Sequence, residues 1–225
     1  MRKTLVFDVN ETLLDLSVLK LHFDKIFGNE NVLHEWFNQC IHNAMLSVIL
    51  ETNLNFKDVG RHSLTMIGDK YNINIKNEDR DLLVQDMTRL PPHYDVVDSM
   101  NLLKKNNFRL IALSNNSSDT LLKQLKNAQL DFYFDEIISV EIASTLKPSH
   151  KVYDAAASFL NEENKNLTMI ACHSWDIAAA MKVGYKGALV KRQGMPENPL
   201  FQEPDFIENN LNDLAKKIVE SKDNR

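Results

Sequence analysis

At 225 residues, 44% hydrophobic and 25% charged, the chain has material for a well-packed core and for a smaller second domain beside it. Its net charge of −5 argues against nucleic acid or an anionic membrane surface as the main partner, because both recruit basic patches. Cys40 and Cys172 lie far apart with no CxxC pair, no apolar run approaches the ~18 residues of a spanning helix, and no signal-peptide pattern follows Met1, so a protein of the reducing cytoplasm is expected.

In chain order, the first element is the apolar run Leu5-Val6-Phe7, which reads as a buried strand. From residue 15 to residue 93 the pattern changes. Apolar residues recur at helical spacing (Leu16, Leu19, Phe23, Ile26 and Phe27; then Trp36, Phe37, Ile41, Met45, Val48 and Ile49), and no strand pattern interrupts them. Pro91-Pro92 then breaks the chain before the sheet pattern resumes. A wholly helical insert hinged near Asp15 and Pro91 is the natural reading; one mixed domain without a separable insert is the alternative. Residues 110–113, 137–140, 169–171 and 188–190 read as further buried strands. Helical spacing fills residues 121–128, 152–160 and 177–183, the last stopped by Gly184. A short strand at Phe206-Ile207 and a helix over residues 211–219 close the chain. Strands alternating with helices predict an α/β fold: a Rossmann-like parallel-sheet core from residues 1–14 and 94–225, with residues 15–93 as an α-helical cap.

The first strand runs into Asp8-Val9-Asn10-Glu11-Thr12. Open parallel sheets bind ligands at the carboxyl ends of their strands, so Asp8 sits where chemistry is expected. The second strand ends at Ser114-Asn115, and Asn116-Ser117-Ser118-Asp119 behind it can cap a helix and form an anion cradle. Lys147 follows the third strand, just before Pro148. Asp176 follows the fourth, in Cys172-His173-Ser174-Trp175-Asp176. Each alone has an ordinary explanation, since an Asp behind a strand is usually a turn residue. Together, at four strand ends, they point to one cleft. His22, His34, His42, His62, His93 and His150 show no metal-ligand spacing and read as surface or capping residues.

These residues carry a resemblance. Asp8-x-x-x-Thr12, Leu113-Ser114-Asn115, Leu146-Lys147-Pro148 and Trp175-Asp176 resemble the four motifs of the haloacid dehalogenase superfamily, across nearly the whole chain. Lys147-Pro148-x-x-x-Val152-Tyr153 and the helical insert resemble its type II 2-haloacid dehalogenase branch most. The resemblance implies that Asp8 displaces halide from a small 2-halocarboxylic acid, forming an ester. Water activated near Asp176 then hydrolyses the ester to a 2-hydroxy acid. Lys147 would hold Asp8 ionised, and Thr12 and Tyr153 would orient the network. Ser114 and the backbone N–H groups of Val9 and Asn10 would bind the substrate carboxylate. Asn115 and Trp175 would face the departing halide, and Phe56 matches an aromatic contributed by the cap. No metal or cofactor is implied. A homodimer through the cap is, with the apolar residues 45–50 as its surface unless they are cap core.

Phosphatases of the superfamily are the main alternative. They resemble one another in a second Asp two residues after the nucleophile, which protonates a leaving alkoxide. Asn10 stands there, and a halide needs no proton. They also bind Mg²⁺ with hard oxygen ligands, including an acid where this chain has Cys172, a poor ligand for that ion. Both departures favour carbon–halogen chemistry. Against it, type II enzymes have a halide-receiving Arg where this chain has Phe37, and Arg61 is a substitute only if it is not an ordinary helix charge. A hydroxyl expected at residue 171 is absent from Ala171, and His173 replaces an expected Asn. His173 either joins the Asp8–Lys147 network and positions water, or is structural. A catalytically silent binding module would be signalled by loss of Asp8 or Lys147, and both are present.

Overall fold

The computed structural model describes residues 2–223. Strand β1 (Thr4–Phe7) is followed by four helices, α1 (Lys20–Phe27), α2 (Val32–Ile49), α3 (Phe56–Lys70) and α4 (Asn77–Met87). Then come α5 (Val96–Lys105), β2 (Arg109–Ser114), α6 (Ser118–Asn127), β3 (Glu136–Ser139) and α7 (His150–Leu160). The chain continues through β4 (Leu167–Ala171), α8 (Ser174–Lys182), β5 (Lys186–Val190), β6 (Phe206–Glu208) and α9 (Leu211–Asp223). The strands make one parallel sheet in the order β3-β2-β1-β4-β5-β6. That is a doubly wound α/β order, whose direction of growth reverses between β1 and β4 and leaves a crevice there. The Asp8 N–H donates to the Ile170 carbonyl across this boundary at 3.0 Å, so the chain leaves β1 inside the crevice.

The strands are apolar on both faces because helices cover both. Helix α5 packs against α9, α7 against α8, and α8 lies on β4 and β5. The last contact is close: a Cβ on Gly187 would meet Met181 Sδ at 2.5 Å and Ile177 Cγ2 at 2.7 Å. Local signals set the helix ends. Gly28, at φ 65°, stops α1 in the left-handed conformation. Asn55 caps α3 by accepting the Lys57 N–H at 2.8 Å. Helices α2 and α3 are joined where the Trp36 indole N–H donates to the Gly60 carbonyl at 2.9 Å. The chain segments entering and leaving α1–α4 lie side by side. The Asp15 N–H donates to the Pro91 carbonyl at 2.8 Å, and the His93 N–H to the Leu13 carbonyl at 2.9 Å.

The α/β parallel-sheet architecture follows the sequence expectation. Differences are local. Val140 opens a 3-10 turn rather than ending β3, and α5 lies where only a return to sheet was expected. His22 is buried beside Phe23 instead of lying at the surface. His93 is half-buried and bonds the Glu11 carbonyl through Nε2 at 2.9 Å. Within residues 45–50 the run divides: Ser47 is buried, whereas Leu46, Ile49 and Leu50 are exposed. Among the described residues no helix is long and apolar enough to cross a membrane.

Candidate active site

Asp8, Lys147 and Asp176 converge at the crevice. The Lys147 ammonium donates to Asp8 Oδ1 at 2.9 Å, to Asp176 Oδ2 at 2.5 Å and to the Leu113 carbonyl at 3.2 Å. All three donors are thus used, which a lysine 1% exposed requires. The Tyr153 hydroxyl donates to the other oxygen of Asp176 at 2.5 Å and is held from behind by Tyr185, whose hydroxyl donates to the Tyr153 carbonyl. Burial opposes ionisation of Asp8, but Lys147, His173 and Thr12 outweigh it and hold its carboxyl well below the usual range. Burial pushes Asp176 above its ordinary value; Lys147 pulls it back and the charge of Asp8 adds to the upward push. Burial also works against the charge of Lys147, and Asp176 and Asp8 outweigh it, so the ammonium keeps its proton. Burial and the neighbouring Asp176 push the Tyr153 phenol far up, so it remains a donor. Two carboxylates sharing one lysine therefore diverge, and Asp8 is the more readily ionised of the two.

The second oxygen of Asp8 faces a different set. Thr12 Oγ1 donates to Asp8 Oδ2 at 2.7 Å and accepts the Cys172 N–H at 3.0 Å. His173 Nδ1 lies 3.3 Å from the same Asp8 oxygen, and its Nε2 lies 2.8 Å from Glu11 Oε2. Both ring nitrogens face carboxyl oxygens, an arrangement that suits the doubly protonated imidazolium. Burial opposes that charge; the Cys172 sulfur and hydrogen bonds to Asp8, Cys172 and Glu11 outweigh it and raise the His173 pKa well above its ordinary value. The ring is sandwiched between Phe37 of α2 (6.1 Å between centroids, 25° between planes) and Trp175 of α8 (5.3 Å, 30°).

The remaining predicted residues are placed less directly. Val9 and Asn10 follow Asp8 and are buried. Asn10 Oδ1 accepts from Gln124, whose own carbonyl accepts from Asn116. Ser114 Oγ accepts the Asn116 N–H, which leaves its hydroxyl proton to give. Asn115 does not simply face the crevice: its Oδ1 accepts the Lys147 N–H at 2.7 Å and its Nδ2 donates weakly to the Lys147 carbonyl at 3.4 Å, fixing the backbone of Lys147. The expected anion cradle at α6 is largely filled from within, because Glu141 takes the Ser118 N–H and Ser117 the Thr120 N–H. Phe56 lines a 440 Å³ cavity between α2, α3, α4 and α6, with Trp36, Phe37 and Gln124. Arg61 lines the same cavity but pairs with Asp81 at 3.1 Å, so it is not brought to His173.

Sequence reasoning gave no role to several groups that build this site. Glu11 is one; its backbone is left-handed at φ 61°, which turns the side chain to His173. Arg192, just beyond β5, donates to the Thr12 carbonyl at 2.9 and 3.2 Å and to buried Asp95 at 2.8 Å, pinning the loop after β1. Gln124 holds Asn10 and the Met87 carbonyl together. Among the described residues no group of three or more His, Cys, Asp or Glu side chains is arranged to hold a metal ion.

Comparison with known proteins agrees with this geometry. Residues 5–190 match the family of haloacid dehalogenase-like hydrolases. A Pseudomonas putida protein named (S)-2-haloacid dehalogenase is 23% identical over 221 residues, covering 97% of each chain. The structure of L-2-haloacid dehalogenase from Xanthobacter autotrophicus has a TM-score of 0.89 at 22% identity, covering 97% of this chain and 98% of its own. A second structure of that protein, with chloropropionic acid covalently bound, has the same TM-score at 21% identity and the same coverage. The structural likeness speaks for the fold, and the family match spans most of the sequence. The chain belongs to the haloacid dehalogenase-like hydrolases.

Proposed function

We propose that this protein hydrolyses small 2-halocarboxylic acids to 2-hydroxy acids through an ester on Asp8. One observation carries the proposal: a buried carboxylate, kept ionised by Lys147, is followed at position 10 by an amide tied to Gln124 rather than by an acid that could protonate a leaving group. An ionised Asp8 forms a bond to the α-carbon while the carbon–halogen bond breaks and halide leaves with the electron pair. A leaving alkoxide or phosphoester oxygen would want a proton from the residue at position 10, and the Asn10 amide is instead tied to Gln124. The position of the expected metal-binding acid is Cys172, whose sulfur lies against Thr12 Oγ1 at 3.4 Å; a thiol does not suit Mg²⁺. No step here is routed through a metal. The covalent chloropropionic acid adduct of the Xanthobacter protein supports the same route.

In this reading Thr12, Lys147 and Tyr153 orient Asp8 and Asp176, Ser114 with the N–H groups of Val9 and Asn10 receives the substrate carboxylate, and Trp175, Phe37 and Phe56 bound the halide side. Residues 15–93 act as the cap over a core of residues 1–14 and 94–225. The setting is cytoplasmic, and self-association uses the exposed apolar end of α2, which sedimentation at increasing concentration measures. The test of function is halide release from chloro-, bromo- and fluoroacetate and both 2-chloropropionates, beside phosphate release from a set of phosphomonoesters. Phosphate release that EDTA abolishes and Mg²⁺ restores, without halide release, would replace this reading with a phosphatase.

A further inference from the structure

The 440 Å³ cavity between α2, α3, α4 and α6 is far larger than the methyl group of a 2-chloropropionate can use. It falls within the range of about 300–1,000 Å³ that encloses whole small ligands. Resting on the haloacid reading above, we propose that this cavity receives the third substituent of the substrate, and that the preferred substrate is a 2-halocarboxylic acid whose α-carbon carries a bulky apolar group such as benzyl. The inner wall of the cavity borders the reacting centre through Asn116, Gln124 and Phe37. Asn116 gives its N–H to Ser114, which in the haloacid reading receives the substrate carboxylate. Gln124 donates to Asn10, just beyond Asp8. Phe37 stacks on His173, whose Nδ1 lies 3.3 Å from Asp8. Asp8 attacks the α-carbon opposite the halide, so the other groups on that carbon splay out around the axis of attack. With the carboxylate at Ser114 and the halide against Trp175, the wall between Asn116 and Phe37 is left for the remaining group.

The chemistry of the wall selects an apolar occupant. Trp36, Phe37 and Phe56 supply aromatic faces, and Leu83, Val84 and Met87 supply aliphatic ones. The polar groups buried in the wall are already satisfied from within the protein. Gln124 accepts from Asn116 at 2.6 Å and donates to Asn10 and to the Met87 carbonyl, so both its N–H groups and its oxygen are used. The Thr88 hydroxyl donates to the Gln85 carbonyl at 2.7 Å. Burial pushes the Cys40 thiol up to about 12, so it stays uncharged. The charged side chains Lys57, Asp81, Asp119 and Lys123 are exposed and stand where the cavity meets solvent, and Arg61 is paired with Asp81. A polar tail would lose its water in the interior and gain no partner there, whereas an apolar one loses nothing.

Calorimetry with unhalogenated acids reads the cavity without the chemistry. 3-Phenylpropionate should bind at least about tenfold more tightly than propionate, since each buried methylene is worth about fourfold. In turnover, 2-chloro-3-phenylpropionate should exceed 2-chloropropionate in kcat/KM by at least about tenfold, and through KM, because a tail remote from the reacting bond is held equally before and during reaction. Gly60→Leu closes the cavity: a Cβ there meets only Trp36 Cζ2, at 3.6 Å, so the new side chain grows into the space. Both preferences should fall below about twofold in that variant. Halide release from 2-chloropropionate should stay within about twofold of wild type, which shows that the variant is folded. If Gly60→Leu is inactive on both acids, Val84→Phe, which narrows the cavity from α4, decides by the same ratios. A wild type with no preference for the phenyl acids, or a preference that survives both substitutions, overturns the proposal, and continued halide release leaves the dehalogenase reading standing. Halide from neither acid, with the calorimetric preference present in wild type and lost in Gly60→Leu, overturns the haloacid reading and not the role of the cavity.

Discussion

Replacing Lys147 with Met asks whether one buried cation holds the centre of the site together. The ammonium is 1% exposed and donates to Asp8, the Leu113 carbonyl and Asp176. Met has similar length and flexibility, so the packing loss is small and the electrostatic loss is nearly isolated. Removing one partner of a buried ionic cluster costs about 3–5 kcal/mol. Proton uptake sets a ceiling, since neutralising one stranded Asp at about pH 7 costs about 4 kcal/mol. Asp176 is the group that takes the proton, because burial already lifts its pKa. In the variant Asp176 is then protonated when folded and ionised when unfolded. The folded state binds more protons, so stability falls as pH rises from the ordinary Asp value of 3.8 toward the folded value. The slope is about 1.4 kcal/mol per pH unit, so the destabilisation should grow by about 2–3 kcal/mol between about pH 5 and about pH 7. Urea unfolding of wild type and Lys147→Met at both pH values measures it. A destabilisation below about 1 kcal/mol, or one equal at the two pH values, refutes the assignment of Lys147 as the shared counter-ion of two buried carboxylates.

Four further outcomes are expected. Tyr153→Phe leaves Asp176 Oδ1 without its donor and should destabilise by about 1–3 kcal/mol in chemical unfolding. Gly187→Ala drives a methyl into Met181 and Ile177, and thermal unfolding should show a loss of about 1–3 kcal/mol. Phe37→Arg should reduce halide release rather than improve it, because the guanidinium would stack on a cationic ring; a faster variant would show that the imidazole is neutral in the resting enzyme. The folded protein holds the His173 proton above its ordinary value of 6.5, so this contribution is complete below that value and is lost as pH rises through the folded value. The stability difference between wild type and His173→Phe should accordingly shrink from about pH 6 to about pH 9, and a difference that widens contradicts the pairing with Asp8.

The parts of the fold legible in sequence are those where burial is one-dimensional. Each inner strand is covered on both faces, so it appears as a continuous apolar run that ends at a polar residue, and Asp8 and Ser114 announce themselves at those ends. Helix α5 was equally readable in principle, since Val96, Met100 and Leu103 have helical spacing and are fully buried, but Pro91-Pro92 masked its start. Side-chain direction beyond a strand is different. Nothing local indicates that Glu11 turns to a histidine 162 positions away, because that depends on a left-handed backbone at one loop residue. Asn115 looks like a ligand at a strand end, yet both ends of its amide hold the Lys147 backbone. Arg192 carries no motif at all, and only the tertiary fold brings it to the Thr12 carbonyl.

The same comparison of local and tertiary information explains why Phe37 and His173 belong together. A type II site resembling this one expects a cation from the cap and an amide beyond the fourth strand; here an aromatic stands on α2 and an imidazole beyond β4, and their rings stack. In place of a cation on the helical insert, an imidazole whose surroundings favour its protonated form stands beyond β4, beside Asp8. A cation on the insert depends on how the insert is seated, whereas His173 is bonded to Asp8 and Glu11, both on the β1 side of the crevice, whatever Phe37 does. Phe37 then contributes exclusion of water and a π-face, a stabilisation of order 0.5–2 kcal/mol for a buried cation, rather than the charge itself. Phe37→Leu should therefore weaken substrate binding more than it slows halide release, because Trp175 still holds the other face of the His173 ring. Measuring KM and kcat for halide release in Phe37→Leu separates the two effects, and a loss confined to kcat with KM unchanged would refute the packing role given to Phe37.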